Sequence, residues 1–367
     1  MTRPVRARVA LDALRSNLEL ARRTAPHSRV LAVVKANAYG HGLVPVAQAL
    51  EAADAFGVAG VEEALVLRQA GIQKPIVLLE GFFHAAELDE VIRHGLIPVV
   101  HAAHQVEALA AAAPAAPVRA WVKLDTGMHR LGFAPDELPS VLRRLQGLEG
   151  VELAALMTHF ACADDRADPA TRRQFERFDA VVAGLEGEHS LANSAALLGW
   201  PQTHADWVRP GLMLYGISPF VDSLAADHDL CPAMTLETEL IAIRDCAAGA
   251  AIGYGGAWVC PEAMSVGVAA IGYGDGYPRH APAGTPVRVD GRPAQLVGRV
   301  SMDMITLDLR GLPEARVGSR VTLWGEGLPV ERIARAAGTI PYELVCAVAA
   351  RVPMLYESGP ADSGCRS

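Results

Sequence analysis

Several features that would indicate a membrane, secreted or nucleic-acid-binding protein are missing from this sequence. No stretch approaches the roughly 20 apolar residues that a membrane span needs, and no apolar run follows the positively charged start at Met1 to Arg8, as it would in a signal peptide. No block of like charge is present that would follow a nucleic acid or an anionic membrane, and the formal net charge is −8. We therefore expect a soluble, cytoplasmic protein with a small-molecule partner.

The six cysteines are scattered, and no two of them form a Cys-x-x-Cys pair. This spacing favours neither a disulfide framework nor a zinc site, so we expect no bound metal. Internal repeats are also missing. The length of 367 residues exceeds the comfortable size of one hydrophobic core, so we expect two domains.

Between Val30 and about Gly216 the sequence alternates short apolar runs with longer helical patterns, which is typical of a parallel sheet covered by helices. The predicted strands are Val30–Val34, Phe56–Ala59, Ile76–Leu79, Ile97–Val100, Val118–Leu124, Leu153–Thr158, Ser190–Ala192 and Val208–Leu214. A doubly wound open sheet would give a similar alternation. Because about eight strands close a barrel and no long antiparallel insertion interrupts them, we favour an α/β fold with an N-terminal (β/α)8 TIM-type barrel.

A helix before these strands is predicted to open near Asp12 as its N-cap, with Leu14, Leu18 and Ala21 on one apolar stripe. After about Cys231 the pattern changes to strands with little helix. These strands are Met234–Arg244, Met264–Ile271, Val287–Val289, Ala294–Val300, Met304–Leu309 and Val321–Trp324, with turn signals such as Asp290-Gly291 between them. We expect a barrel over residues 8–230, a mostly β domain over 231–357 joined by 1–7, and a disordered tail over 358–367.

The unusual polar residues fall at or just past the carboxyl ends of the predicted barrel strands, the face on which such barrels carry chemistry. They are Lys35, Arg130, His159, Asn193, Ser194 and Arg209. A random scatter would not produce this arrangement.

Lys35 follows the apolar strand end Val33-Val34, where lost solvation favours the neutral amine, a nucleophile for Schiff-base chemistry. A strand-end lysine that simply reaches solvent is the alternative. The segment Ala36 to Gly42 favours the first interpretation, because its glycines let a backbone approach a ligand closely and Tyr39 offers a hydroxyl.

Short donors also follow the predicted seventh and eighth strands, where barrels commonly bind phosphate. Asn193 and Ser194 come after the seventh strand, and Gly211 lies near the eighth. Ordinary turn chemistry explains Asn and Ser equally well.

Several segments resemble those of the bacterial alanine racemases, a fold-type III family that depends on pyridoxal 5'-phosphate (PLP), and the match runs over essentially the whole chain. VVKANAYGHG, residues 33–42, is similar to the cofactor-lysine segment. The resemblance implies that Lys35 carries PLP as a Schiff base and that Tyr39 contacts the phosphate. WVKLDTGMHRLGF, residues 121–133, resembles the segment whose arginine holds the substrate carboxylate, here Arg130.

Three more barrel segments carry the same resemblance: LMTHF, LANSAALLGWP and WVRPGLMLYG. They imply that Ser194 binds the phosphate, that Arg209 faces the pyridine nitrogen, and that His159 lies next to Arg209. The full set of cofactor-binding residues implied is Lys35, Tyr39, His159, Asn193, Ser194, Arg209, Gly211, Leu212 and Tyr342. Some family members have a tyrosine at the position of Ala350, so Tyr342 is the candidate to replace its phosphate contact here.

In the second domain, AAIGYGDGYPRH resembles the segment that brings the second catalytic base, here Tyr273, across a dimer interface. RVSMDM is similar to the segment in which Met302 and Asp303 line the substrate side. The resemblance therefore implies a head-to-tail homodimer with composite active sites. Lys123 corresponds to a lysine that is often carbamylated in this family, where the added carboxylate would orient Arg130.

The activity implied is interconversion of L-alanine and D-alanine, either supplying D-alanine for cell-wall peptidoglycan or catabolising it. Lys35 would act on the D-enantiomer and Tyr273 on the L-enantiomer. A phenol is a weak base at neutral pH, and His159 coupled to Arg209 is the candidate for stabilising its anion. Arg209 beside the pyridine nitrogen would disfavour its protonation, which we expect to limit transamination.

Two other functions compete with this one. A PLP-binding barrel protein without catalysis is one, but the β domain with Tyr273 and Met302 argues against it, because a pure binder needs no second base. A decarboxylase of the same architecture is the other, and it would be expected to carry a cysteine where this chain reads Val300-Ser301-Met302-Asp303. Tyr273 and Met302 would crowd the side-chain pocket and favour alanine, although serine is small enough to enter.

Overall fold

The computed structural model describes residues 3–114 and 116–358. The chain starts with strand β1 (Arg6–Ala10), which passes directly into helix α1 (Leu11–Thr24). The predicted N-cap Asp12 is wrong: the backbone turns into the helix at Ala10, so Asp12 lies in the first turn. The predicted apolar stripe of α1 is buried, as expected for a helix that packs on the barrel.

Eight parallel strands close into a barrel, which confirms the predicted architecture. They are β2 (Arg29–Val33), β3 (Ala55–Val58), β4 (Ile76–Leu78), β5 (Ile97–Val100), β6 (Val118–Lys123), β7 (Val151–Met157), β8 (Glu188–Asn193) and β9 (Trp207–Arg209). The helices around them are α2 (Leu43–Ala49), α3 (Val61–Gln69), α4 (Leu88–Arg93), α5 (Ala103–Ala112), α6 (Leu138–Gln146), α7 (Ala170–Val182) and α8 (Ser194–Gly199). The carboxyl ends of all eight strands therefore meet at one mouth.

The last barrel strand is shorter than the sequence pattern suggests. The predicted strand Val208–Leu214 ends at Arg209, and Leu212–Tyr215 is a short 3-10 helix. Pro210 has no backbone N–H to continue the ladder, and its carbonyl accepts from Val33 instead. The apolar run after Arg209 is buried, which explains why it resembles a strand.

Alternation along β2 separates the barrel interior from the helix-facing layer. Leu31 and Val33 belong to the cluster that fills the barrel, whereas Val30 and Ala32 pack in the outer core with the helices. The interior cluster consists of Leu31, Val33, Ala55, Val77, Ile97, Val99, Trp121, Ala154, Ala155, Met157 and Trp207. The interior is a packed core, so a ligand must bind at the mouth.

The C-terminal domain is mostly β, as predicted. Its strands are β10 (Met234–Cys246), β11 (Ala251–Ile252), β12 (Trp258–Val259), β13 (Met264–Ala269), β14 (Pro286–Val289), β15 (Arg292–Val297), β16 (Ile305–Asp308), β17 (Arg320–Trp324) and β18 (Met354–Glu357). The main sheet has the order β13-β16-β15-β14-β17-β10-β1-β18, and β13 also pairs with β10. Asp290-Gly291 joins β14 to β15 with positive φ at both residues, the hairpin turn that the sequence indicates.

Two features of this domain differ from the sequence pattern or extend it. Helices α9 (Val330–Ala337) and α10 (Pro341–Cys346) follow β17, where the sequence predicted little helix. Strand β1 pairs with β10 and β18, so the N-terminal segment joins the β domain up to Ala10. Apart from Ser358, the predicted disordered tail lies outside the described residues. No helix in the described part of the chain is long and apolar enough to cross a membrane.

Candidate active site

Lys35 begins a left-handed turn at the mouth of the barrel. The four residues after it, Ala36 to Tyr39, all have positive φ between 51° and 54°. A left-handed conformation costs a non-glycine residue roughly 1–2 kcal/mol, so surrounding contacts must maintain it. Asn37 supplies two of them, since its backbone and side-chain oxygens accept from the N–H groups of Gly42 and Leu43. Lys35 itself remains about one-third exposed, with a 36% exposed side chain.

An aromatic stack fixes the position of Tyr39. Its ring lies 4.7 Å from that of Tyr215 and 6.0 Å from that of Tyr342. Tyr215 donates from its hydroxyl to the Val33 carbonyl at 3.0 Å, which ties the stack to β2. Burial raises the pKa of Tyr39 and Tyr215 well above the ordinary value, and burial raises the pKa of Tyr342 to about 12. All three are therefore neutral phenols that can donate hydrogen bonds.

The Tyr39 hydroxyl meets the loops after β8 and β9. A Cβ at Gly211 would lie 2.5 Å from this hydroxyl, so a side chain there would displace the Tyr39 ring. Ser194 accepts from the Gly211 N–H at 2.8 Å and from the Met213 N–H at 3.3 Å. The predicted phosphate-binding residues are thus adjacent in the structure: they are Tyr39, Ser194 and Gly211. Asn193 is an N-cap of α8, which agrees with the turn interpretation for its side chain.

Arg209 is buried at the end of β9 and held by neutral oxygens. Its guanidinium donates to the Ser190 hydroxyl at 2.7 Å, to the Thr158 carbonyl at 2.7 Å and to the Leu191 carbonyl at 3.0 Å. It also lies 3.4 Å from Nδ1 of His159. Burial lowers the pKa of Arg209 to about 10, so the side chain remains charged at neutral pH.

His159 is neutral in this environment. Burial, with the charges of Arg209, Lys123 and Arg130, lowers its pKa well below the ordinary value. Because arginine can only donate, Nδ1 of His159 is the acceptor, and the ring proton is left on Nε2. His159 therefore keeps an N–H donor at Nε2.

Lys123, at the end of β6, is a buried amine among cations. It is 6% exposed, and burial, together with Arg209, Arg130 and Lys35, lowers its pKa to about 8. No carboxylate lies within 4.0 Å of its Nζ in the described part of the chain. The site thus gathers four cationic side chains, and Glu80, whose carboxylate is 3.8 Å from Lys35, is the acidic residue that sequence reasoning missed here.

Tyr273, Met302 and Asp303 form a separate exposed surface on the β domain. The Tyr273 N–H donates to Ser301 at 3.0 Å, and the Gly274 N–H donates to Met302 at 2.9 Å, which places the two segments side by side. The exposed fractions of Tyr273 and Met302 are 41% and 54%. The structure therefore brings together Lys35, Lys123, His159 and Arg209 in one group, and the β-domain residues in another.

Family models for the alanine racemase N-terminal domain and the alanine racemase C-terminal domain match residues 9–219 and 233–356. The chain belongs to the alanine racemase family. The alanine racemase of Aeromonas hydrophila is 54% identical over 351 residues, 95% of this chain and 98% of that one, and that of Halorhodospira halophila is 53% identical over 354 residues, 96% and 97% of the two chains. Among solved structures, the biosynthetic alanine racemase of Pseudomonas aeruginosa is 50% identical with a TM-score of 0.95, covering 97% of this chain and all of that one.

Another alanine racemase structure, from a Streptomyces lavendulae that produces D-cycloserine, is 35% identical with a TM-score of 0.92 and covers 98% of each chain. The family of the chain and the combination of a barrel with a β domain are thus as the sequence motifs indicate. Residues 3–114 and 116–358 contain no group of His, Cys, Asp and Glu side chains that could hold a metal ion.

His41 leads to a prediction about acid stability. It is fully buried, and its Nδ1 donates to the Tyr39 carbonyl at 2.8 Å. Burial lowers the pKa of His41 to about 4, so below pH 6.5 the unfolded chain binds a proton that the folded chain does not. The free energy of unfolding is expected to fall by about 3 kcal/mol from this group as pH drops from 6.5 to 4.

Thermal unfolding of His41→Gln and wild type between pH 5 and pH 8 measures this effect. We expect a smaller loss of stability at pH 5 in His41→Gln, whereas the exposed His280→Gln control behaves like wild type. An equal pH dependence in His41→Gln and wild type would contradict the assignment.

Proposed function

We propose that this chain is a PLP-dependent enzyme that interconverts L-alanine and D-alanine with two bases, Lys35 and Tyr273. The observation that carries the proposal is the group at the barrel mouth: an accessible lysine beside a buried arginine and a cluster of short donors. When bound, PLP supplies an electron sink that makes the α-proton of an attached amino acid acidic. Family membership supports the same activity.

The residues present fit this cofactor. Lys35 offers the amine for covalent attachment, and the neighbouring Tyr39 hydroxyl, Ser194 and the Gly211 backbone suit a phosphate. Arg209 suits the pyridine nitrogen, because its position is fixed by three neutral oxygens and, among the described residues, no carboxylate forms an ion pair with it. Asn193, Leu212 and Tyr342 complete the proposed set, and Tyr342 is well placed beside Tyr39 to compensate for Ala350.

The chain's own groups then hold the substrate and move protons. Arg130, exposed on the loop after β6, binds the substrate carboxylate. Lys35 removes or returns the α-proton on one face, and Tyr273 does so on the opposite face. His159, whose Nδ1 lies 3.4 Å from the Arg209 guanidinium, would stabilise the phenolate form of Tyr273 through its Nε2–H.

The second base requires a second copy of the chain. Tyr273, Met302 and Asp303 are exposed and grouped on one face, and their segment is tied to the β domain and not to the barrel mouth. A head-to-tail homodimer would place this face over the partner's Lys35 and bury its apolar side chains. Met302 and Tyr273 would then restrict the pocket to a small side chain such as that of alanine.

Lys123 is proposed to be carbamylated. Its neutral amine forms an N–C bond with the carbon of CO2 and releases one proton to solvent, and the resulting carbamate places a negative charge between Arg130 and the other cations. Because the pKa of Lys123 is about 8, modification at fixed total carbonate is expected to rise between pH 6.5 and pH 8.

Lys35, Lys74 and Lys123 are the only lysines in the sequence, which makes the test specific. With ¹³C-bicarbonate, we expect a carbamate NMR signal in wild type and Lys74→Met but not in Lys123→Met. The loss of a charge-assisted contact to Arg130 is expected to raise the KM for alanine in Lys123→Met by roughly 10- to 100-fold. A signal that persists in Lys123→Met would contradict the assignment.

The proposed activity is tested by incubating the purified protein and PLP with L-alanine and following the enantiomers by chiral chromatography. We expect D-alanine to appear until the two enantiomers are equal, with L-serine converted more slowly. Release of CO2 would favour a decarboxylase, and bound PLP with no conversion of alanine would favour a binding protein.

A further inference from the structure

The buried carboxylate of Asp275 lies two residues after Tyr273. We propose that Asp275 is a positioning residue for Tyr273, with Arg3 and Arg351 as its counter-ions. This inference rests on the proposed function, because it concerns how the second base is held. None of the three residues belongs to the barrel mouth.

The Asp275 carboxylate is fully buried, accepts three hydrogen bonds and forms one further ion-pair contact. Arg3 donates to its two oxygens at 2.8 and 3.0 Å, and Nε of Arg351 lies 2.8 Å from Oδ1. The third hydrogen bond comes from the backbone N–H of Gly272, at 3.0 Å from Oδ2. Because Gly272 directly precedes Tyr273, this bond fixes the peptide plane between Ile271 and Gly272, at the start of the turn that carries the phenol.

The turn also packs backbone to backbone against the segment that carries Met302. A Cβ at Gly272 would lie 2.2 Å from the Ser301 carbonyl oxygen. Any larger residue at position 272 would therefore push the turn away from the segment that carries Met302. A small tilt of the Gly272 peptide would therefore break both the bond to Asp275 and the fit against Ser301. The phenolic oxygen of Tyr273, at the far end of a rigid side chain, would move the most.

The same two arginines also bind Asp303, which lies next to Met302 on the exposed surface of the β domain. Arg351 donates to the Asp303 carboxylate at 2.7 Å, and Arg3 donates to the Asp303 backbone carbonyl at 3.2 Å. The negative charges of the two carboxylates thus balance the positive charges of the two guanidiniums, and Asp275 lies in the centre of this group. Removal of the Asp275 charge would leave Arg3 and Arg351 facing each other with only Asp303 between them.

This arrangement determines the geometry of Tyr273 without touching the substrate. Tyr273 is 41% exposed, so in one chain its side chain is oriented mainly by the backbone of its turn. A displacement of about 1 Å at a reacting group can reduce the rate of its step by roughly 100-fold. Loss of Asp275 should therefore slow the Tyr273 step and spare the Lys35 step.

The two steps are separated by following D-alanine in deuterated water. Lys35 acting alone exchanges the α-proton for deuterium with retention, whereas inversion to L-alanine also needs Tyr273. We expect Asp275→Asn to lower inversion by about 10- to 100-fold relative to exchange with retention. Its PLP absorbance and its dimer content should match wild type.

Asp308→Asn is the matched control. Asp308 is also a nearly buried carboxylate of the β domain, 7% exposed and paired with Arg310 at 2.7 Å. A merely structural role of a buried ion pair would affect both variants alike, so the ratio of inversion to exchange should change only in Asp275→Asn. If Asp275→Asn does not fold, Arg3→Met tests the same cluster, since the Arg3 side chain is 35% exposed.

An inversion-to-exchange ratio equal to that of wild type in Asp275→Asn, or in Arg3→Met where that variant replaces it, would overturn this inference. A reduced ratio in Asp308→Asn would do the same. A wild-type protein that does not racemise alanine at all would instead overturn the proposed function, so the two failures are distinguishable.

Discussion

Replacement of Lys35 by alanine is expected to remove the PLP absorbance band near the visible edge and to lower racemisation below about one ten-thousandth of wild type. Lys35 stands at the end of β2, and the left-handed turn after it exposes its amine at the barrel mouth. In the proposed mechanism the substitution removes both the covalent attachment point and one of the two bases. The effect should therefore be the largest of any single substitution at the site.

Absorbance spectra and a chiral alanine assay of the purified variant measure both losses. Lys74→Ala is the control, because it removes a lysine of the same barrel away from this mouth. A visible band that survives in Lys35→Ala would mean that PLP is attached elsewhere, and the assignment of Lys35 would be wrong.

Replacement of Tyr273 by phenylalanine is expected to lower racemisation by about 10²- to 10⁴-fold, the usual contribution of a general base, while the PLP band remains. The ring and its packing beside Met302 are kept, and only the hydroxyl is lost. Exchange of the α-proton of D-alanine with solvent deuterium should persist, because Lys35 is the proposed base on that face.

Tyr254→Phe is the matched control, since Tyr254 is another exposed tyrosine of the β domain, 67% exposed. We expect its activity to equal that of wild type. Full racemase activity in Tyr273→Phe would contradict the two-base account, and loss of the PLP band in that variant would indicate a structural role for the hydroxyl.

The parts of the fold that follow from apolar periodicity could be predicted from the sequence. The barrel strands β2 to β8 lie within two residues of their predicted positions, because each is a short buried run between helical patterns. The error at Val208–Leu214 shows the limit of that signal. Buried apolar residues in a 3-10 helix have the same composition as a buried strand, and only Pro210 marks the change.

Some features of the site could likewise be predicted from the sequence, and others could not. Family motifs indicate Lys35, Arg130 and Tyr273 as individual residues, but not the left-handed turn of Ala36 to Tyr39, because alanine and tyrosine carry no local preference for positive φ. The sequence also does not predict that Lys123 is buried among cations, or that Asp275 is bound by Arg3 and Arg351. Both depend on contacts between residues far apart in the sequence, such as Arg3 and Asp275.

In the proposed homodimer, each active site takes Lys35 from one chain and Tyr273 from the other, and mixing two inactive variants tests whether the site is shared in this way. Lys35→Ala and Tyr273→Phe chains are unfolded and refolded together, and the racemase activity of the mixture is compared with that of each variant alone. Random pairing makes half of the dimers mixed, each with one intact site, so we expect about a quarter of wild-type activity. A mixture no more active than its components would contradict it.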